Sequence, residues 1–321
     1  MPKKIISIVV PVYCEELVVH EFYRRTVETL SVLVVSGNYD YEIIFVNDGS
    51  TDGTLQIITE LSSNDSRTKV IDLSRNFGHQ LAITAGIEHT SGDAVILIDS
   101  DLQDPPEVIP RFVAKWEDGF NVVYGVRSER SGETFIKLIT AKVFYRVLNS
   151  LSTMEIPADT GDFRLMDRKV VDALKSIPEQ NRYLRGLIKW IGFQQCGVSY
   201  KRDQRYAGET KYSFSKMFHL AFDGITGFSE KPLYIAFQLG VFVSIASFLM
   251  MFIYIGQRIV VPSSVVSGWT STIVLILFLG GVQLISIGIM GLYVGRIYRE
   301  VRRRPLYLVA NKIGFEEESN L

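Results

Sequence analysis

Residues 94–104 read Ala94-Val95-Ile96-Leu97-Ile98-Asp99-Ser100-Asp101-Leu102-Gln103-Asp104. The first half is aliphatic with no polar alternation, the pattern of a central strand covered on both faces. The second half sets carboxylates directly at the strand's exit. In a doubly wound sheet ligands bind beyond the carboxyl ends of the strands, so these residues fall where a site is expected. Asp99 and Asp101, two positions apart, repel one another unless a cation lies between them. Hard ions such as Mg2+ or Mn2+ take oxygen ligands, commonly one or two carboxylates plus substrate phosphate oxygens, so the spacing points to a metal-bound diphosphate.

Similar apolar runs recur on either side, at Ile5–Val10, Tyr41–Val46, Lys69–Leu73 and Asn121–Tyr124, most of them followed by helix-like segments. That repetition predicts an α/β domain with a mainly parallel, doubly wound sheet. The first two exits also carry polar residues, Glu15 after one and Asn47-Asp48-Gly49-Ser50 after the other. Asp48-Gly49 fits equally a tight turn with an Asx hydrogen bond. Neither glycine-rich phosphate loop, GxGxxG or GxxxxGK followed by Ser or Thr, occurs, which argues against a dinucleotide enzyme or a P-loop nucleotidase.

The 321-residue chain balances 34 Lys+Arg against 35 Asp+Glu, is 47% hydrophobic and has a mean hydropathy of +0.17. Those values exclude a disordered tail protein and give no sign of a nucleic-acid binder. Residues 1–232 hold 27 basic and 31 acidic groups and residues 233–321 hold 7 and 4, so the chain is two unlike pieces. No charged residue occurs from Pro232 to Gln257 or from Ile259 to Gly295. Leu233–Gly256 and Thr272–Gly295 are each long enough, at about 1.5 Å per residue, to cross a hydrocarbon core of about 30 Å. The alternative, a pair of buried soluble helices, requires unusually long helices with no charged face.

Between the two spans, Pro262-Ser263-Ser264 and Ser267-Gly268 read as the turn of a hairpin. Lys231 before the first span and Arg296, Arg299, Arg302, Arg303 and Arg304 after the second mark a cytoplasmic side. The expectation is a multi-pass protein of the plasma (inner) membrane with the α/β piece and both termini in the cytoplasm. The run Ile5–Val10 is too brief for the core of a signal peptide. Cys14 and Cys196 form neither a disulfide framework nor a metal pair and read as packing residues.

Taken together, Val9-Val10-Pro11-Val12-Tyr13 with Glu15-Glu16, Val46–Ser50 and Asp99–Asp104 resemble the inverting glycosyltransferases of GT-A fold, family 2. Ser74-Arg75-Asn76-Phe77-Gly78, Gly161-Asp162-Phe163-Arg164-Leu165-Met166 and the two-span C-terminus are more specific. They resemble bacterial polyisoprenyl-phosphate glycosyltransferases, among them bactoprenol glucosyltransferases, and are similar to dolichol-phosphate mannose synthase. The resemblance implies a GT-A catalytic domain over 1–212, an interfacial helix region over 213–231, two transmembrane helices with a short external loop over 232–297 and a cytoplasmic tail over 298–321.

It further implies a nucleotide-sugar donor, a polyisoprenyl-phosphate acceptor in the membrane, Mg2+ or Mn2+, and a homo-oligomer, with no nucleic acid involved. Pro11, Tyr13, Glu15, Asp48 and Ser100 are then donor contacts, and Asp99, Asp101 and Gln103 hold the ion. Arg127, Arg202 and Lys211 contact phosphates, and Asp162, Asp101 and Arg205 form the catalytic set, with Asp159 a second choice for Asp162. The segment 200–212 also fits a plain solvated face. Asp162 is open to three roles: accepting a residual proton, orienting the acceptor through Arg164, or balancing nearby cations. It also fits a helix cap. Residues 134–151 and 213–228 read as interfacial helices or as core and subunit-contact helices. The histidines show no metal-ligand spacing, and only His79 lies in a family motif. Two rival activities are a processive polysaccharide synthase, from which Gln180-Asn181-Arg182-Tyr183 departs in spacing, and a non-catalytic membrane adaptor.

Overall fold

The computed structural model describes residues 3–35, 37–127, 160–180, 182–202, 231–260 and 269–315. Arg205, Lys211, Asp159, the segments 134–151 and 213–228 and the turn at 262–268 lie outside them. The elements run β1 (Lys4–Val12), α1 (Val19–Val35), β2 (Tyr39–Asn47), α2 (Thr54–Asn64), β3 (Thr68–Leu73), α3 (His79–Glu88) and β4 (Ala94–Leu97). A single 3-10 turn at Pro106–Val108 leads into α4 (Ile109–Glu117), followed by β5 (Val122–Arg127), β6 (Thr160–Asp167), α5 (Arg168–Lys175), α6 (Leu184–Ile191) and β7 (Gln195–Tyr200). After α7 (Lys231–Val260) and α8 (Trp269–Arg302) comes β8 (Val309–Ile313).

All eight strands form one sheet in the order β7-β5-β6-β4-β1-β2-β3-β8. β4, β1, β2 and β3 are parallel neighbours, as their apolar runs require. The chain winds outward from β1 through β2 to β3, then crosses to put β4 on the other side of β1. The carboxyl ends of β1 and β4 therefore flank a topological switch point, the crevice where such sheets take ligands. β6 runs antiparallel between β4 and β5, and β8 runs antiparallel along β3. The sheet is thus mixed at its flanks, and the segment expected as a plain tail returns to its edge.

Both faces are covered. Ile6, Ile8, Val10 and Val12 of β1 join Phe22 of α1, Ile58 of α2 and Phe112 of α4 in one apolar cluster. On the opposite face α3 lies so close that a Cβ on Gly86 would collide with Val9 Cγ1. Glu42 is 4% exposed on β2 and is satisfied by Lys69 Nζ at 2.7 Å, the Ser7 hydroxyl and the Ser91 main chain and hydroxyl. Burial pushes its carboxyl up, but those partners hold it below the usual range.

The second unit holds α7 and α8, which are 30 and 34 residues long. At about 1.5 Å per residue each exceeds the thickness of a hydrocarbon core. Within them Leu233–Met250 and Phe278–Arg302 are long and apolar enough to cross a membrane by length and composition. Their large apolar side chains are largely uncovered, with Phe242 70% and Leu284 72% exposed. A soluble pair of buried helices would hide such groups.

Candidate active site

The rim is built where β1, β2 and β4 end. The loop after β1 is zipped to the loop after β2: Cys14 N donates to Ser50 Oγ at 3.0 Å, Glu15 N to Thr54 Oγ1 at 2.8 Å and Gly53 N to Glu16 Oε2 at 2.8 Å. Pro11 is buried at the end of β1 beside Val46, and Tyr13 projects from the loop, 39% exposed. Cys14 and Leu102 both hold positive φ, 55° and 59°, so non-glycine backbone in the left-handed region marks the loops after β1 and β4.

Asp48 does not present a free carboxylate to this rim. It is 3% exposed, and its two oxygens accept from Phe77 N at 2.7 Å and Gly78 N at 2.9 Å. The local turn is therefore closed across the sheet, onto the loop after β3. Burial raises its carboxyl, against the two N–H donors. Ser100 is buried too, at 3%. Gln103 N closes a turn on Asp101 Oδ1 at 3.1 Å.

The antiparallel direction of β6 brings Asp162 to the same rim. Leu97 pairs with Arg164, and continuing that register by two residues sets Asp99 opposite Asp162. Between them stands His79, the first residue of α3. Its Nε2 lies 2.8 Å from Asp99 Oδ1 and its Nδ1 3.9 Å from Asp162 Oδ2. Burial alone would lower the imidazole, yet the Asp99 carboxylate outweighs it and lifts His79 to about 9. Asp99 Oδ2 has no partner among the described residues, and its side chain is 38% exposed.

Asp162 sits on a strand, so the helix-cap alternative is overturned; the cap of α5 is Asp167, which accepts from Lys169 N. The Asp162 carboxylate is clasped by Arg185 of α6, with Nε at 2.7 Å from Oδ1 and Nη2 at 2.9 Å from Oδ2. Arg164 lies beside it at 4.0 Å and donates to the main-chain oxygens of Gly161 and Asp162. Burial acts to raise the Asp162 carboxyl, but Arg185, Arg164 and His79 hold it far below the usual range. Burial also pushes Arg164 down, to about 10.

A second cluster gathers around Asp104, which is 2% exposed. It accepts from the Tyr200 hydroxyl, while Arg127 Nη2 lies at 3.9 Å and Arg202 Nε at 3.6 Å. The buried Nε atoms of Arg127 and Arg202 have no hydrogen-bond partner among the described residues. Two guanidinium groups thus converge on one carboxylate that neither meets at hydrogen-bonding distance, leaving one positive charge in excess. Arg127 lies over Gly161, where a Cβ would come within 2.8 Å of its Nη2.

The structure thus brings together Asp99, Asp162, Arg127 and Arg202 from the expected residues and adds His79, Gln80, Asp104, Arg185 and Tyr200. Asp104 and His79 belonged to quoted motifs. Arg185 and Gln80 carried no motif, and only the fold pairs them with Asp162.

For a divalent ion, Asp99 and Asp101 supply the oxygen donors that Mg2+ or Mn2+ takes, and the unengaged Asp99 Oδ2 fits that use. Among the described residues no three His, Cys, Asp or Glu side chains converge into a metal cage. The donor set matches a cation that takes its remaining ligands from a substrate and water, as Mg2+ does.

The sequence pattern of glycosyl transferase family 2 matches residues 7–175. An uncharacterized glycosyltransferase, YkcC of Bacillus subtilis (strain 168), is 50% identical over 97% of this chain and 95% of its own length. Bactoprenol glucosyl transferase of Shigella phage SfX is 46% identical over 96% of this chain and 99% of its own. Among solved structures, the mannosyltransferase PcManGT of Pyrobaculum calidifontis, in complex with GDP-Man and Mn2+, aligns with a TM-score of 0.50 at 15% identity, covering 70% of this chain and 64% of that one. That likeness extends to the fold. The mixed GT-A sheet, its acidic rim at the switch point and the family pattern over residues 7–175 together establish that the chain belongs to glycosyltransferase family 2 and is a glycosyltransferase.

Proposed function

We propose that the protein is a membrane-bound inverting glycosyltransferase that moves glucose from UDP-glucose to undecaprenyl or a similar polyisoprenyl phosphate. The observation that carries this reading is the pairing of two unlike carboxylates across one rim: Asp99, half exposed with one oxygen unengaged among the described residues, and Asp162, buried among cations. Near-full-length likeness to bactoprenol glucosyl transferases supports glucose and a polyprenyl acceptor. The two long apolar helices support a lipid substrate and residence in the plasma membrane, with the catalytic piece and both termini cytoplasmic.

In this reading the phosphate oxygen of the lipid attacks the anomeric carbon of glucose. The carbon–oxygen bond to the diphosphate breaks, its electron pair leaves with UDP, and the configuration inverts. Pro11, Tyr13, Glu15 and Ser100 border the donor, with Asp48 shaping its pocket through the main chain of Phe77 and Gly78. Asp99, Asp101 and Gln103 hold Mg2+ or Mn2+, which when bound neutralises charge developing on the leaving diphosphate. Arg127 and Arg202, with Arg205 and Lys211, offset the several negative charges that two phosphorylated substrates bring together. A phosphate monoester has its second pKa near 6. It reaches the site largely deprotonated, so Asp162, held ionised by its arginines, serves as a fixed counter-charge.

Copies of the chain associate through their membrane helices in the same proposal, since a Cβ at Gly280, Gly281, Gly288 or Gly291 on α8 would meet none of the described residues, which leaves room for a neighbouring helix. Product analysis tests the reading against a processive synthase. One sugar per lipid, with inverted configuration, is expected; a ladder of chain lengths contradicts it.

A further inference from the structure

Arg185 spends only one edge of its guanidinium on Asp162. Nε and Nη2 lie at 2.7 and 2.9 Å from the two carboxylate oxygens, and Nη1 has no partner among the described residues. The side chain of Arg185 is 33% exposed, while that of Asp162 is 9% exposed. A buried carboxylate therefore stands behind an arginine whose side chain is partly exposed at the rim. A guanidinium has five donors in a fixed fork, so locking one edge aims the other.

The lock is reinforced. Gln80 Nε2 lies 3.4 Å from Asp162 Oδ2, and its carbonyl oxygen accepts from Leu184 N at 3.2 Å, tying the first turn of α6 to the first turn of α3. Arg164 adds a second guanidinium 4.0 Å from the same carboxylate, so the cluster of Arg185, Arg164 and Asp162 carries one positive charge in excess. A group so placed suits a phosphoryl oxygen, which accepts charge-assisted hydrogen bonds from a planar fork.

We propose that Arg185 is a phosphoryl-binding residue of the active site and that Asp162 is the positioning residue that aims it. The proposal rests on the transferase reading above, in which two phosphorylated substrates meet at this rim. Its ligand is either the phosphate of the lipid acceptor or the diphosphate of the donor.

The test uses the full-length protein in detergent, with Arg185→Gln, Arg185→Lys, Asp162→Asn and the Arg185→Gln/Asp162→Asn double variant. Binding of UDP and of farnesyl phosphate is measured separately by calorimetry, alongside the thermal midpoint and the KM and kcat for each substrate. Arg185→Gln is expected to weaken one of the two ligands by about tenfold or more, the scale of one charge-assisted hydrogen bond. Loss of farnesyl phosphate identifies the acceptor as the source, and loss of UDP identifies the donor. Asp162→Asn weakens the same ligand, and the double variant is no weaker than Arg185→Gln alone. Arg185→Lys keeps the charge and packing stem but cannot span both carboxylate oxygens, so it folds and still loses affinity.

Unchanged binding of both ligands in a folded Arg185→Lys or Arg185→Gln protein, with only the thermal midpoint lowered, would make the pair a brace between α6 and β6 and overturn the proposal. Multiplying losses in the double variant would overturn the positioning role of Asp162. The binding arms need no turnover, so failure of the wild type to transfer sugar would count against the transferase reading alone.

Discussion

Asp99 and Asp162 face one another across the rim, yet their surroundings differ: one oxygen of Asp99 has no partner among the described residues, whereas Asp162 accepts a bidentate arginine. Asp99→Asn removes the charge while keeping the shape, and Asp101→Ala removes a carboxylate outright. Each is expected to lower kcat by about 10²–10³-fold or more with the folded protein intact. Sugar-transfer assays check this, and near-normal turnover in either variant contradicts the role given to them. Gly161→Ala sets a methyl group 2.8 Å from Arg127 Nη2 and displaces that guanidinium. A several-fold rise in KM for a phosphorylated substrate, with little change in thermal midpoint, is the expected result. The carboxylates were legible because acidic residues at strand exits have few structural uses. Arg185 was not: in Leu184-Arg185-Gly186-Leu187 it looks like any solvated helix charge, and its partner is distant in sequence. Asp48 was read as a donor contact, but the loop after β3 takes both its oxygens, a closure that only tertiary structure reveals.

At the scale of elements, α3 matters most, because its first turn carries His79 and Gln80 while its last packs Gly86 on Val9 of β1. Gly86→Ala overpacks that contact and is expected to cost about 1–3 kcal/mol, read as a lowered thermal midpoint. Glu42 ties β1, β2, β3 and the segment before β4 together at the other end of the sheet. Its folded carboxyl titrates below the ordinary range of a glutamate, so its charge-dependent contribution is complete above that range and is lost as the pH falls through the lower folded value. The stability gap between wild type and Glu42→Gln is therefore expected to be widest near neutrality and to narrow toward pH 4 and below. Equal gaps at both ends would contradict the charge assignment. Continuous apolar runs made β1 to β5 readable. β6 was hidden because Asp162 and Arg164 interrupt its pattern, and their burial is tolerated only through mutual pairing. β8 was hidden because Val309-Ala310-Asn311-Lys312-Ile313 is an exposed edge strand, whose polar residues guard the sheet's rim.

At the scale of the molecule the chain forms two compact units, one holding the sheet and its helices and the other holding α7 and α8. The charge split at Pro232 made the two long apolar helices legible, since apolar stretches of such length have few soluble uses. The observed helices run further than the apolar windows, to Val260 and Arg302, because the arginines near their ends are compatible with helix and do not break it. The return of residues 309–313 to the sheet was not legible, because register against β3 has no local signature in five residues. In the proposed reaction the acidic rim serves a metal-assisted transfer onto a lipid phosphate. Its most direct test is the transfer of radiolabelled glucose from UDP-glucose to undecaprenyl phosphate by the full-length protein, with Mn2+ or Mg2+ and with a chelator. Label appearing in the lipid phase, lost on chelation and restored by the ion, is the predicted result; transfer indifferent to chelation, or none from any nucleotide sugar, would contradict it.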